Sequence, residues 1–395
     1  MPIINAITSP APAIITTVDN TGNLVFQNAG TTNMTLDVNQ NAIHTGYISA
    51  PNTFGFKNRI INGGMVIDQR NAGASFTNSN AAVYGVDRWL TYGITSGVFT
   101  CQQVTDAPTG FGNSFKLTIS TATTANDGGA FPVQKIEASN CTDLMWGTSS
   151  AATVTISFWV KASVTGTYNT SLVFYGPTTL YYVSTFTVNS ANTWEQKTIT
   201  VTGPTTGGAF SGSLNAAYLA LYTVAIGSSG YTTYATANTW SSTGSIKTSG
   251  TVNLGSTLNA TLQVTGVQLE KGSTSTSFDY RPYGTELQLC QRYYQIFTAT
   301  GQEWIYNESN GASNKWWQFY IPQTMRTTPS ASLSGMSTGG AINGTGTTVS
   351  SVAVVGITTS RCSVRVTAAG AGGGAYQIYH TDGWSGNAIP LSAEL

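Results

Sequence analysis

The chain has 395 residues, more than one compact core holds, so two or three domains are expected. Charged residues make up 8% of it, against roughly 25% in an ordinary soluble domain, while aromatic residues reach 11%. The aromatics speak against a disordered chain, and a formal net charge of zero with no basic stripe argues against a nucleic-acid partner.

The first residues, Met1-Pro2-Ile3-Ile4-Asn5-Ala6, lack the basic start of a signal peptide. No apolar run in the chain approaches the roughly 20 residues of a membrane-spanning helix, so no membrane insertion is expected. Residues 1–56 read as short strands at 13–16, 24–27 and 34–38, with turns at 19–23 and 28–30. Only Phe26, Tyr47, Phe54 and Phe56 are aromatic here. So few large apolar groups cannot form a core alone, so the segment needs partners, identical copies of itself foremost.

Residues 57–283 carry the densest strand signals, punctuated by Gly, Ser, Thr and Asn. An opening strand is expected over 59–70, followed by Asp87-Arg88-Trp89. Clear alternators follow at 114–119, 153–160, 194–201, 218–222 and 259–264. Val264, Gly266 and Gln268 alternate with Thr265, Val267 and Leu269, which makes the second set the more apolar face. Phe278 and Tyr280 begin another extended piece that Pro282 stops. Next, 284–297 reads as the one helix, with Thr285 as N-cap and Leu287, Cys290 and Tyr294 in one stripe. Residues 301–395 return to strands at 314–322, 352–357, 362–366 and 377–380, a second, smaller β-sandwich with Gly-rich loops.

The run Gln268-Leu269-Glu270-Lys271-Gly272, then Phe278-Asp279-Tyr280-Arg281-Pro282-Tyr283-Gly284-Thr285-Glu286-Leu287 and Cys290-Gln291-Arg292-Tyr293-Tyr294, is the most specific pattern in the chain. With the 59–70 segment it resembles the carbohydrate-binding-module-like jelly roll of bacteriophage tail-fibre and other virion fibre proteins. The resemblance implies an all-β chain: an N-terminal arm (1–56) docking to tail or collar proteins, a jelly roll (57–283), a helix linker (284–300) and a distal β domain (301–395) that meets the host. Trimerisation fits these parts, because an under-cored arm and a lone helix both gain burial on a threefold axis. Localisation would be the virion exterior, after assembly in the host cytoplasm. In such jelly rolls a structural calcium often bridges the opening and closing strands, and Asp68, Asp87 and Glu270 are what this chain offers near them. Charge pairing at the sandwich rim is the preferred reading for Asp87, Arg88 and Glu270, and no cofactor is expected.

Rings stack on the apolar faces of sugars, so exposed aromatics are the candidates for binding a host-surface glycan. They are Trp316, Trp317, Tyr379 and Trp384 in the distal domain, with Tyr231, Tyr234 and Trp240 in the jelly roll; Tyr181-Tyr182 raises the same possibility. Each has a competing reading as an ordinary core or interface ring. No catalytic residue is assigned. Asp127 with Glu137, and Glu303 with Glu308, are among the closer carboxylate pairings along the chain, and neither sits in a hydrolase motif. Cys101, Cys141, Cys290 and Cys362 form no Cys-x-x-Cys pair and read as buried thiols, not metal ligands. His44 and His380 read as structural. The function expected is a non-catalytic tail fibre. A tailspike depolymerase and a capsid or collar fibre without receptor binding are the alternatives.

Overall fold

The structure, a computed structural model, describes residues 16–18, 24–28, 31–36, 42–44, 57–94, 96–124, 129–227, 234–298, 303–305, 314–331, 341–342, 347–368, 376–379 and 388–395. The chain divides into two compact units, Met1–Thr53 and Phe54–Leu395. In the first, β1 (Thr16–Val18), β2 (Leu24–Asn28), β3 (Thr31–Leu36) and β4 (Ala42–His44) form an antiparallel meander in chain order.

The second unit is built on a β-sandwich. Its strands are β5 (Phe76–Asn78), β6 (Ala82–Tyr84), β7 (Leu90–Tyr92), β8 (Val98–Val104), β9 (Ser114–Thr121), β10 (Ala130–Glu137), β11 (Val154–Ala162), β12 (Gly166–Tyr175), β13 (Thr179–Val188), β14 (Glu195–Val201), β15 (Ala217–Ala225), β16 (Trp240–Ser241) and β17 (Thr261–Lys271). One sheet runs β14-β11-β17-β9-β8-β5, the other β16-β13-β12-β15-β10-β7-β6. The chain crosses repeatedly between them, which is a jelly-roll path. The period-2 patterns explain the core. Phe115, Leu117 and Ile119 of β9 and Ile156, Phe158 and Val160 of β11 point inward, against Leu172 and Phe174 of β12 and Leu219 and Leu221 of β15.

Three expectations fail here. The segment 59–70 is not a strand. Asn62 and Met65 take positive φ, and asparagine side chains stand in for a ladder. Asn58 Oδ1 accepts from the Leu269 amide and its Nδ2 donates to the Val267 carbonyl; Asn62 Nδ2 donates to the carbonyls of Ile67 and Asp87. The alternation in β17 also breaks. Gly266, at φ 61, and Val267 stand opposite Phe158 in a β-bulge, so Leu262 and Val264 before it share the core with Val267 and Leu269 after it. Finally, the helix α1 is Tyr283–Gln291, entered from Pro282. The Tyr293-Tyr294 end turns into β18 (Tyr294–Thr298) because that strand pairs with β26 (Ala388–Ser392).

The remaining strands are β19 (Glu303–Ile305), β20 (Asn314–Tyr320), β21 (Ser330–Ala331), β22 (Ala341–Ile342), β23 (Thr347–Ile357), β24 (Arg361–Ala368) and β25 (Tyr376–Tyr379). They form a three-stranded sheet, β18-β26-β21, and a six-stranded one, β19-β25-β22-β23-β24-β20. The end of the chain is fastened to the sandwich. Glu394 pairs with Arg70 at 2.9 Å and with Arg88, whose side chain is 1% exposed. Arg88 lies 3.4 Å above the Tyr293 ring, and Arg70 lies 3.6 Å above Tyr294. The Tyr84 hydroxyl donates to the Leu395 carbonyl.

Candidate functional site

The outer face of the seven-stranded sheet departs from the usual pattern of a polar solvent side. Register places Val133 beside Tyr222 and Leu90, Ser171 beside Tyr222, and Val173 beside both Tyr181 and Ala220. The rings of Tyr92 and Tyr222 stack with centroids 5.8 Å apart and planes 9° apart. Tyr175 hydrogen-bonds Tyr222 through its hydroxyl, and burial pushes its pKa up to about 12. Tyr92, Tyr175, Tyr181 and Tyr222 are each half-buried, neither core nor fully solvated.

Two rims turn this face into a cleft of about 330 Å³. One is the loop at 244–252. Asn169 holds it: its Nδ2 donates to Thr248 Oγ1 at 2.9 Å, and its Oδ1 accepts from Thr251 Oγ1. Ser171 Oγ donates to the Ile246 carbonyl, which seats Ile246 against the tyrosines. Lys247 anchors the loop with bonds to the carbonyls of Gly227 and Val252, and burial lowers its pKa to about 8. The other rim is the turn at 79–81. Asn78 Nδ2 donates to Thr91 Oγ1 and the Ala81 carbonyl, and Gly93 donates its amide to Ala81. Asn80, Ala82, Gly129 and Ala130 complete the lining. A cleft with ring edges and faces, hydroxyls, an amide and apolar walls can hold a sugar chain. None of the described lining residues is a carboxylate.

Of the aromatics singled out from sequence, none of the described ones lines this cleft. Trp316 and Trp317 stand in β20, opposite Arg365 and Val364, in the six-stranded sheet β19-β25-β22-β23-β24-β20. Tyr379 ends β25, which pairs with β19 and β22 in the same sheet. Tyr231 and Trp384 lie outside the described residues. Tyr234 is 47% exposed. Trp240 is half-buried, its ring 5.3 Å from both Trp146 and Tyr182, and it donates to the Thr202 carbonyl. Of the Tyr181-Tyr182 pair, Tyr181 belongs to the outer face and Tyr182 to the core. Tyr92, Tyr175, Tyr222 and Ile246 were missed. The signal for Tyr222 was present, because 218–222 is apolar on both faces, and a strand of that kind has something packed on each side.

Glu137, Asp87, Glu270 and Asp68 each have protein partners. Glu137 is buried, paired with Arg292 at 3.1 Å and Arg326 at 3.8 Å; its proposed partner Asp127 lies outside the described residues, as does Glu308. The rim reading of Asp87, Arg88 and Glu270 is overturned by their burial. Asp87 accepts from the amide and side chain of Gln69, and Glu270 from Gln268 and Thr276. Asp68 caps the turn at 71–73. These three are not brought together, and among the described residues no group of three or more His, Cys, Asp or Glu gathers for a metal. The four cysteines are free and buried.

No family model matches the chain, and no curated protein does. Solved structures similar to part of it include the enzymatically active domain of bacteriophage CBA120 tailspike protein 4, at 14% identity and TM-score 0.30, covering 55% of this chain and 22% of that one. The chain thus spans about a fifth of that relative. Another is the C-terminal family 22 carbohydrate-binding module of Clostridium thermocellum Xyn10B, at 13% identity and TM-score 0.29, covering 51% of this chain and 99% of that one. A putative sugar-binding protein from Bacteroides thetaiotaomicron matches at 13% identity and TM-score 0.29, over 54% and 100%. Identities and scores this low leave the functional reading to the geometry of the face.

Proposed function

We propose that this protein is a non-catalytic glycan-binding β-sandwich that holds a polysaccharide chain in the cleft on the outer face of its seven-stranded sheet. The observation that carries this is the stacked Tyr92–Tyr222 pair in an open cleft walled by Ile246 and Asn80, with no carboxylate among its described lining residues. The particular protein that fits is a phage tail fibre, attached to the virion by residues 1–53 and bound to host-surface glycan through the sandwich. Supporting this are the low-charge composition, the separate N-terminal unit and the sequence resemblance. The distal aromatics Trp316, Trp317, Tyr379 and Trp384 then contribute secondary contacts.

The test is titration calorimetry with oligosaccharides from the host's surface polysaccharide. Wild type binds, and Tyr222→Ala weakens binding about tenfold, or ~1.4 kcal/mol. Equal affinity of the two proteins overturns the placement. Release of reducing ends during incubation replaces the binder with a depolymerase.

A further inference from the structure

A second cavity, of about 250 Å³, lies by the sandwich sheet that contains β17, lined from residues 58–66, 110–112 and 278–286. It is organised by the β17 bulge. Gly266 has no side chain, so the Phe111 ring sits on its backbone; an added Cβ would come within 2.6 Å of that ring. Phe278 packs edge-on to Phe111 at 5.0 Å and Tyr280 edge-on to Phe278 at 4.9 Å, which builds an aromatic wall. Tyr280 is 62% exposed, yet its hydroxyl is fixed to the Gly110 carbonyl, so its ring is held in solvent.

The polar side of the cavity is equally fixed. Arg281 is held by the carbonyls of Asn58 and Ile60 and pairs with Glu286 at 3.3 Å. Asp279 accepts the Asn58 amide and lies 4.0 Å from Arg281. Two lining glycines have no backbone reason to be glycine. A Cβ on Gly112 would meet nothing within 4 Å, and one on Gly64 only Val66 and Phe278 at 3.8–3.9 Å. Their bareness keeps the cavity open.

We infer that this cavity is a second glycan site, which takes a single neutral pyranose ring: the ring stacks on the Phe278–Tyr280 wall and its hydroxyls meet Asp279, Arg281 and Glu286. Its volume is below the roughly 300–1,000 Å³ of sites for larger ligands. Two carboxylates against one guanidinium disfavour an acidic sugar. The inference extends the proposed function but uses different residues, so the two fail separately.

The experiment is saturation-transfer NMR with D-glucose, D-galactose, N-acetyl-D-glucosamine and D-galacturonate as probes, on the full chain carrying Tyr222→Ala. A neutral sugar receives saturation from that protein. Adding Gly112→Leu, which fills the cavity, or Tyr280→Ala, which removes its wall, cuts the signal about tenfold. The unfolding midpoint of the Gly112→Leu protein stays unchanged, since the new side chain enters open space. No transfer to the Tyr222→Ala protein, transfer unaffected by both added changes, or preference for galacturonate overturns the inference. The first of these leaves the cleft on the other sheet standing, whereas unaltered polysaccharide binding by Tyr222→Ala overturns that cleft and leaves this cavity.

Discussion

Asp87 holds its carboxyl in a fully buried place, where desolvation pushes its pKa up to about 7 against the pull of the Gln69 hydrogen bonds. The unfolded chain ionises near 3.8, so between 3.8 and about 7 the folded state binds the extra proton. Stability on this account is greatest in acid and is lost as pH rises through that window. Urea unfolding of wild type between pH 4 and pH 7 will show the decline, and Asp87→Asn will flatten it. A wild type and a variant with parallel pH profiles would deny the buried charge. Tyr222 makes the opposite case, a ring placed for contact with solvent. Because it is half-buried, Tyr222→Ala should cost about 1–2 kcal/mol of stability in urea unfolding, below the roughly 3–5 kcal/mol of a core aromatic. At this scale the sequence offers aromatic residues as candidates, and the proposed cleft uses others. Aromatic residues for a sugar were expected, but which tyrosine faces outward depends on cross-strand neighbours distant in sequence.

The strands of the sandwich were legible because period-2 alternation is local, as at β9, β11 and β14. What escaped depends on long-range contacts. No local signal tells that Asn58 and Asn62 replace a strand, since their partners include Val267, over two hundred residues away. Nor does alternation reveal the bulge at Gly266, although an isolated glycine in a strand is its usual mark. Gly266→Ala should destabilise the protein by about 2 kcal/mol, the left-handed strain alone being roughly 1–2 kcal/mol, with displacement of Phe111 in addition. A urea midpoint equal to wild type would contradict the bulge. The C-terminal strand β26 and the residues after it form a latch that only the fold discloses. Glu394→Ala leaves the buried Arg88 and the half-buried Arg70 without their carboxylate, a loss of about 3 kcal/mol in the same assay. An unchanged midpoint would show that the latch contributes nothing.

At the scale of the whole molecule, a chain with so little charge and so many small polar residues presents a neutral surface whose binding should be insensitive to salt. The proposed assembly is a homotrimer, which multiplies weak sugar contacts by holding several clefts on one particle. Light scattering should therefore report three chains of 41.5 kDa; one chain at micromolar concentration would refute it. The all-β architecture was readable from turn spacing alone, while the cleft was not, because its two rims meet only once Asn169 and Asn78 have pinned their loops. A crystal structure of the full chain soaked with an oligosaccharide from the host's surface polysaccharide tests the central claim most directly. The account predicts sugar density lying against Tyr92 and Tyr222, between Ile246 and Asn80. Well-ordered density found only on the distal domain, with that cleft empty, would contradict it.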